Sequence, residues 1–405
     1  MIYLVIEALI KIGILIGGVM TGVAYLVLLE RRIAAWVQDR RGPNRVGIPL
    51  TDFKMAGLGQ PLADGLKFLF KEEYTPGHVD RVAYYLAPVL IMASALLAMA
   101  VVPFGAVSIP WGDKNYVIDM VVAPGLDVGL VFMFAMSGLA VYGVIVGGWA
   151  SNSKYSFLGG LRASAQLISY EIPLGLGILG VVLVSGSLRL DEIILAQSHG
   201  LSWNAFIQPL GMIVFFVAAL AEAARLPFDL PECEQELVGG YHTEYSGMKL
   251  ACFLSAEFIH MITAAFLLAI LFLGGWHFPG LTGPATETVG PVYAAIRIGV
   301  LLIKVLLVIV LIMLIRWSWP RFRFDQLMDR AWKVMLPLGL VNLIITAFLV
   351  EFAPGQTVIH AVVGWGAMIG SLVVTAMFSP TATGREKAAP ATAPLEPEVA
   401  LAKTR

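Results

Sequence analysis

The chain has 405 residues, of which 58% are Ala, Val, Ile, Leu, Met, Phe, Trp, Tyr or Cys and only 14% are charged, with a mean hydropathy of +0.82. A soluble chain carries about 25% charge, so an ordinary soluble fold is excluded, and so is disorder, which needs low hydrophobicity and high net charge. The net charge of −1 supplies no basic field for nucleic acid, and Cys233 and Cys252 are too few for a disulfide scaffold or a thiolate metal site.

A membrane helix needs about 20 mostly apolar residues. Nine such windows occur, at 2–29, 82–103, 127–149, 166–187, 205–226, 248–274, 294–317, 331–351 and 358–378. They are continuous rather than alternating, which argues against a membrane β-barrel. The fold expected is all-α: one polytopic membrane domain over 1–378 with about nine transmembrane helices and an amphipathic interfacial helix. The first window lacks a basic leader and is too long for a signal peptide, so it is read as a retained helix. Within it Glu7 and Lys11 stand four apart, the spacing of a helical ion pair.

The first long loop, 30–81, is rich in arginine and contains the tight turn Gly42-Pro43-Asn44. Gripping anionic lipid explains the charge; a shaped turn points instead to a partner protein or an amphipathic ligand. Residues 61–73 place Leu62, Leu66, Leu69 and Phe70 on one stripe, the pattern of the interfacial helix. The fourth window opens near Glu171 and Pro173 and is the weakest. Loop 225–247 gathers Asp229, Glu232, Glu234, Glu236 and Glu244, with Pro227 and Pro231 expected to stop the fifth helix. Glu257 and His260, one turn apart in the sixth window, are either satisfied core groups or a proton relay. Residues 379–405, rich in Ala and Pro, read as a disordered cytoplasmic tail.

Basic residues orient the helices. The odd-numbered loops and the tail hold 21 of 27 Lys and Arg, and the even-numbered loops hold two, Lys114 and Arg189. By the positive-inside rule the amino terminus faces outward and the basic loops and carboxyl terminus face the cytoplasm. Glu171, Glu222 and Glu257 fall inside apolar windows, where ionisable groups are rare and face the bundle interior. Clustered carboxylates titrate as a coupled set, so such a group passes protons in response to a nearby change of charge.

Several ordered motifs resemble one family closely. They are Glu30-Arg31-Arg32, Gln38 through Gly47, Gln60 through Asp64, Lys71-Glu72-Glu73, Gly148 through Ser156, Leu161 through Gln166, Ser169-Tyr170-Glu171, Ala221 through Tyr245, and Arg316 through Gln326. Together they resemble the H-type membrane component of bacterial NADH–quinone oxidoreductase (respiratory complex I) and its mitochondrial counterpart, over about 1–378. The resemblance implies a multi-pass subunit of the bacterial inner membrane at the junction of the membrane and peripheral arms. It implies a passage for a quinone substrate, ubiquinone or menaquinone, and the start of a proton-coupling chain of carboxylates. Its partners would be the other subunits of both arms and the lipid bilayer, and it would carry no flavin, iron–sulfur cluster or metal. The residues in the family's quinone motifs are Arg31, Trp36, Arg40, Arg225, Phe228 and Asp229, with Arg321 and Arg323 nearby. Those in its proton-coupling motifs are Glu171, Glu222, Glu232, Glu234, Glu236, Glu244 and Glu257. The segment between Gly47 and Gln60 is longer than the family's usual spacing.

Two other readings stand beside this one. A related subunit of a proton-pumping hydrogenase shares the expected fold but not the Gln38-to-Gly47 and Gln60-to-Asp64 signatures in full. A stand-alone secondary transporter calls for broken helices at the bilayer midplane, whereas these motifs crowd toward the cytoplasm.

Overall fold

Lipid offers the backbone no hydrogen-bond partner, so long apolar runs close their bonds within helices. A computed structural model describes residues 2–47, 56–111, 114–198, 202–230, 234–283, 286 and 288–378. In chain order these form α1 (Ile2–Val37), α2 (Gln60–Phe70), α3 (Arg81–Met99), β1 (Ala106–Trp111), β2 (Lys114–Asp119), α4 (Gly129–Ala150) and α5 (Lys154–Ser185). There follow α6 (Leu190–Ala196), α7 (Asn204–Ile207), α8 (Pro209–Glu222), α9 (Glu234–Leu237), α10 (Gly247–Phe272) and β3 (Thr288–Val289). The chain ends in α11 (Pro291–Ser318), α12 (Phe324–Arg330), α13 (Leu336–Phe352) and α14 (Thr357–Phe378), with a π-helical turn, Ala331–Met335, joining α12 to α13. Among the described residues eight helical rods are long and apolar enough to cross a bilayer: α1, α3, α4, α5, α10, α11, the α12–α13 rod and α14. The chain is thus an all-α polytopic membrane protein, with α8 as a shorter ninth apolar helix.

The amphipathic helix expected over 61–73 is α2, Gln60–Phe70. Its Leu62, Leu66, Leu69 and Phe70 are exposed, an apolar stripe that water would not favour. Two elements differ from the expected windows. The fifth, 205–226, is filled by two pieces: α7 ends at Ile207, Gln208 leaves helical geometry, and Pro209 starts α8. Buried Gln208 donates from Nε2 to the Gly180 carbonyl on α5 at 3.0 Å, which ties down the break. At 1.5 Å per residue α8 is about 21 Å long, short of the roughly 30 Å hydrocarbon core. The fourth window belongs to the 32-residue α5, about 48 Å by the same rise, so Lys154 begins a helix where a loop was expected. A three-stranded sheet, ordered β2-β1-β3, is formed by the two strands that follow α3 and the one that precedes α11.

The core sits on α10. From Ala256 to Phe272 nearly every residue is buried, and α3, α8 and α11 pack around it. α5 forms a second axis against α4, α8 and α13. Ile14, Phe348 and Val362 remain exposed on the outer helices α1, α13 and α14, a surface that suits lipid.

Candidate functional site

α8 ends at Glu222, before the first proline of its loop. Ala224 adopts φ +48°, the left-handed geometry of a helix terminus. The amides of Ala224 and Arg225 then bond back to the carbonyls of Ala221 (3.2 Å) and Leu220 (3.4 Å). This stop leaves Glu222 on the last helical position. Gln166 of α5 holds the following chain, because its Nε2 donates to the carbonyls of both Ala221 and Phe228 at 2.8 Å. Further along, α5 and the turn Gly240–His242 touch backbone to backbone. A Cβ on Gly159 would lie 2.6 Å from the Gly240 carbonyl carbon, and Gly240 itself has φ +64°. That contact sets Tyr241. Tyr245 stacks on Tyr84 with ring centroids 4.2 Å apart, and Tyr84 Oη donates to the Glu244 carbonyl at 2.7 Å. Burial pushes the Tyr245 hydroxyl above the usual phenol range.

These supports close a cavity of about 50 Å³ lined by Glu171, Glu222, Glu257, His260, Tyr241 and Ser137, among others. Ser137 Oγ donates to the Glu222 carboxylate. Tyr241 Oη donates to Glu257 Oε1 at 2.9 Å. Glu171 rests against Gly138, where an added Cβ would stand 3.0 Å from its Oε1. Three carboxylates drawn from α5, α8 and α10 thus line one small cavity.

Beside it lies a chamber of about 800 Å³ between α1, α2, α10 and α11. Its walls are apolar at Met20, Val23, Phe68 and Leu69 and charged at Arg31, Arg40, Arg225, Arg316, Glu30, Asp64 and Glu257. Glu30 accepts from Arg316 and stands 3.7 Å from Arg225 Nη1, while Arg31 pairs with Asp64 at 2.7 Å. The Arg225 guanidinium is buried and sits 4.2 Å from the Phe258 ring centroid. Its Nε and Nη2, with Trp317 Nε1, are buried donors that no acceptor among the described residues satisfies. Such groups are costly to bury unpartnered, and they suit an amphipathic ligand that brings oxygen acceptors. Glu257 lines both spaces.

The expected residues divide between these spaces and other places. Arg31, Arg40 and Arg225 are on the chamber wall; Trp36, Phe228, Asp229, Arg321 and Arg323 are not among its lining. Trp36 is exposed on α1, and Arg40 Nε donates to Gln38 at 2.7 Å. Phe228 is buried between Tyr170 and Phe322, and Asp229 pairs with Arg321 at 2.8 Å, so these shape the loop behind Arg225. Arg323 is exposed beside Asp325 at 3.8 Å. Glu171, Glu222 and Glu257 come together. Glu236 stands apart, exposed and paired with Arg162 at 2.5 Å. Glu244 is half-buried and does not line the small cavity, and Glu234 opens α9. Glu232, residues 48–55 of the lengthened loop and the 379–405 tail lie outside the described residues. Glu7 and Lys11 do pair, at 2.6 Å. Sequence reasoning missed Ser137, which carries no signal of its own. It also missed the roles of Glu30 and Arg316, which meet across 286 positions of chain.

The fold and site define a polytopic membrane protein that gathers carboxylates from three helices around one small cavity beside an amphipathic chamber. Comparison with known proteins narrows the class. The family model for NADH dehydrogenase matches residues 10–347. The H-type component of the NADH-quinone oxidoreductase of Flavobacterium psychrophilum is 43% identical over 327 residues, 80% of this chain and 90% of that protein. Its counterpart in Syntrophotalea carbinolica is 46% identical over 338 residues, covering 84% and 94%, and one from Geobacter metallireducens is 45% identical over 339, covering 84% and 95%. The chain belongs to this family, the H-type components of NADH-quinone oxidoreductase, and is a membrane subunit of that enzyme.

Proposed function

We propose that this subunit forms the quinone passage of the enzyme and couples quinone reduction to proton translocation. The observation that carries the reading is Glu257, which lines the chamber on one side and the carboxylate cavity on the other. The chamber is the passage for ubiquinone or menaquinone. Its apolar wall takes the isoprenoid tail, and Arg225, Arg316 and Trp317 supply donors for the carbonyl oxygens. A cavity of several hundred cubic ångströms with apolar walls and placed polar groups is typical of small-molecule sites. Reduction of the quinone consumes protons and changes the charge near Glu30, Arg225 and Glu257. Glu257 answers by changing protonation, and Glu222 and Glu171 pass the change inward along α5 and α8. Glu232, Glu234, Glu236 and Glu244 would serve the same loop as proton acceptors at the water-facing side.

The remaining assignments follow the charge distribution. The amino terminus faces outward and the carboxyl terminus the cytoplasm of a bacterial inner membrane, because the arginine-rich loops lie on one side. Residues 1–378 act as one membrane domain, followed by the 379–405 tail. The exposed stripe of α2 and the loop around Arg40, Arg41 and Arg45 meet the peripheral-arm subunits, and the outer helix faces meet the membrane arm and lipid. A photoreactive long-tailed quinone added to the assembled complex is expected to label α1, α2 and α10 of this subunit. Labelling confined to other chains, with none on these helices, sinks the passage.

A further inference from the structure

We propose that His260 is a proton-carrying member of the carboxylate cluster, exchanging a proton with Glu171 or Glu222 through water held in the small cavity. The inference rests on the coupling role argued above and adds a group to it. His260 lines the cavity of about 50 Å³ together with Glu171, Glu222, Glu257, Tyr241 and Ser137. Its Nε2 is buried and bonds to no atom of the described residues. A buried ring nitrogen left that way is costly, so a partner from outside the chain is called for. The cavity exceeds the space one water needs, and its wall offers the two to four polar contacts that hold a buried water.

Position along α10 gives the nitrogen its place in the sequence of transfers. His260 stands three positions after Glu257, which puts both on one helical face about 4.5 Å apart along the axis. Glu257 reaches the chamber; His260 lines the small cavity without lining the chamber. The titratable groups facing it are Glu171 from α5, Glu222 from α8, Tyr241 from the turn at 240–242, and Glu257 on its own helix. α3 and α4 contribute Ile91, Ser137, Ala140, Val141 and Val144, which do not titrate in the working range. In the step, a carboxylic acid O–H bond breaks, the bridging water takes that proton and releases another, and an N–H bond forms at Nε2. A carboxylate and an imidazolium result, net charge is unchanged, and the reverse transfer restores the resting pair. The imidazolium formed balances the charge of the carboxylate left behind.

The test uses the whole complex in sealed vesicles. His260→Asn and His260→Gln are compared with native enzyme for quinone reduction, proton translocation and the pH profile of each, per assembled complex. Gln restores a hydrogen-bonding nitrogen near the Nε2 position but takes up no proton at these pH values. Proton carriage predicts that both variants lose coupled turnover by about a hundredfold or more, with the pH profile of translocation changed and the KM for quinone kept. Native rates and profile in either variant overturn the proposal, because a merely structural hydrogen bond is what Gln would rescue. Glu222→Gln serves as the companion: if it translocates normally, the carboxylate reading itself fails, whereas loss in Glu222→Gln with native behaviour in the histidine variants removes His260 alone.

Discussion

At the scale of single residues, the site depends on a few side chains that position others. Arg225 is buried over Phe258 with part of its guanidinium unsatisfied by the described residues. A lysine keeps the charge but loses the planar fork and the stacking surface. Arg225→Lys is therefore expected to raise the KM for long-tailed quinone severalfold in an assembled complex; an unchanged KM would remove Arg225 from the passage. Gln166 holds the chain on both sides of Arg225 through Ala221 and Phe228. Gln166→Leu removes both hydrogen bonds, a loss of about 0.5–1.5 kcal/mol each, since the two carbonyls still accept from the amides of Ala224 and Leu230. Thermal denaturation of the purified complex should show earlier loss of this subunit, and an unshifted transition would show that the loop is held by other contacts. Glu171, Glu222 and Glu257 were legible in the sequence because a carboxylate inside an apolar helix needs a reason. Ser137 and the Glu30–Arg316 pair were not, since a serine in an apolar run is unremarkable and a partner 286 positions away leaves no local pattern.

At the scale of elements, bilayer physics made most helices readable. Eight of nine expected windows correspond to long rods because lipid compels continuous helix. The break at Gln208 and the small sheet escaped, because each is fixed by tertiary partners: Gly180 for Gln208, and β3 for β1 across more than 170 residues of chain. The stop of α8 also escaped. Prolines in the loop pointed to its end, whereas the helix turns off earlier, at left-handed Ala224. The contact of α5 with the Gly240–His242 turn yields an element-scale prediction. Gly159→Ala forces a methyl group against backbone, an overpacking that costs about 1–3 kcal/mol. It should displace Tyr241 from Glu257 and lower coupled turnover, while Gly175→Ala, in open space on the same helix, should not. Equal behaviour of the two variants would mean that the close approach does not hold the turn.

At the scale of the whole molecule, scarce charge is sorted by side and by depth. Most basic residues lie in the odd-numbered loops and tail, and the acidic residues of interest lie in one loop and inside the bundle. This sorting predicts that a cysteine introduced at exposed Arg41 reacts with a membrane-impermeant thiol reagent only from the cytoplasmic side, in a variant whose own cysteines are replaced. Reaction from the outer side would invert the orientation. The two cavities meet at Glu257, and there the coupling role is most exposed to contradiction. The deciding quantity is the ratio of protons translocated to electrons transferred by a Glu257→Gln complex in sealed vesicles. Glu257 as the link between chamber and carboxylates predicts that translocation is lost, with quinone reduction slowed or uncoupled from it. A native ratio at native turnover would contradict the link.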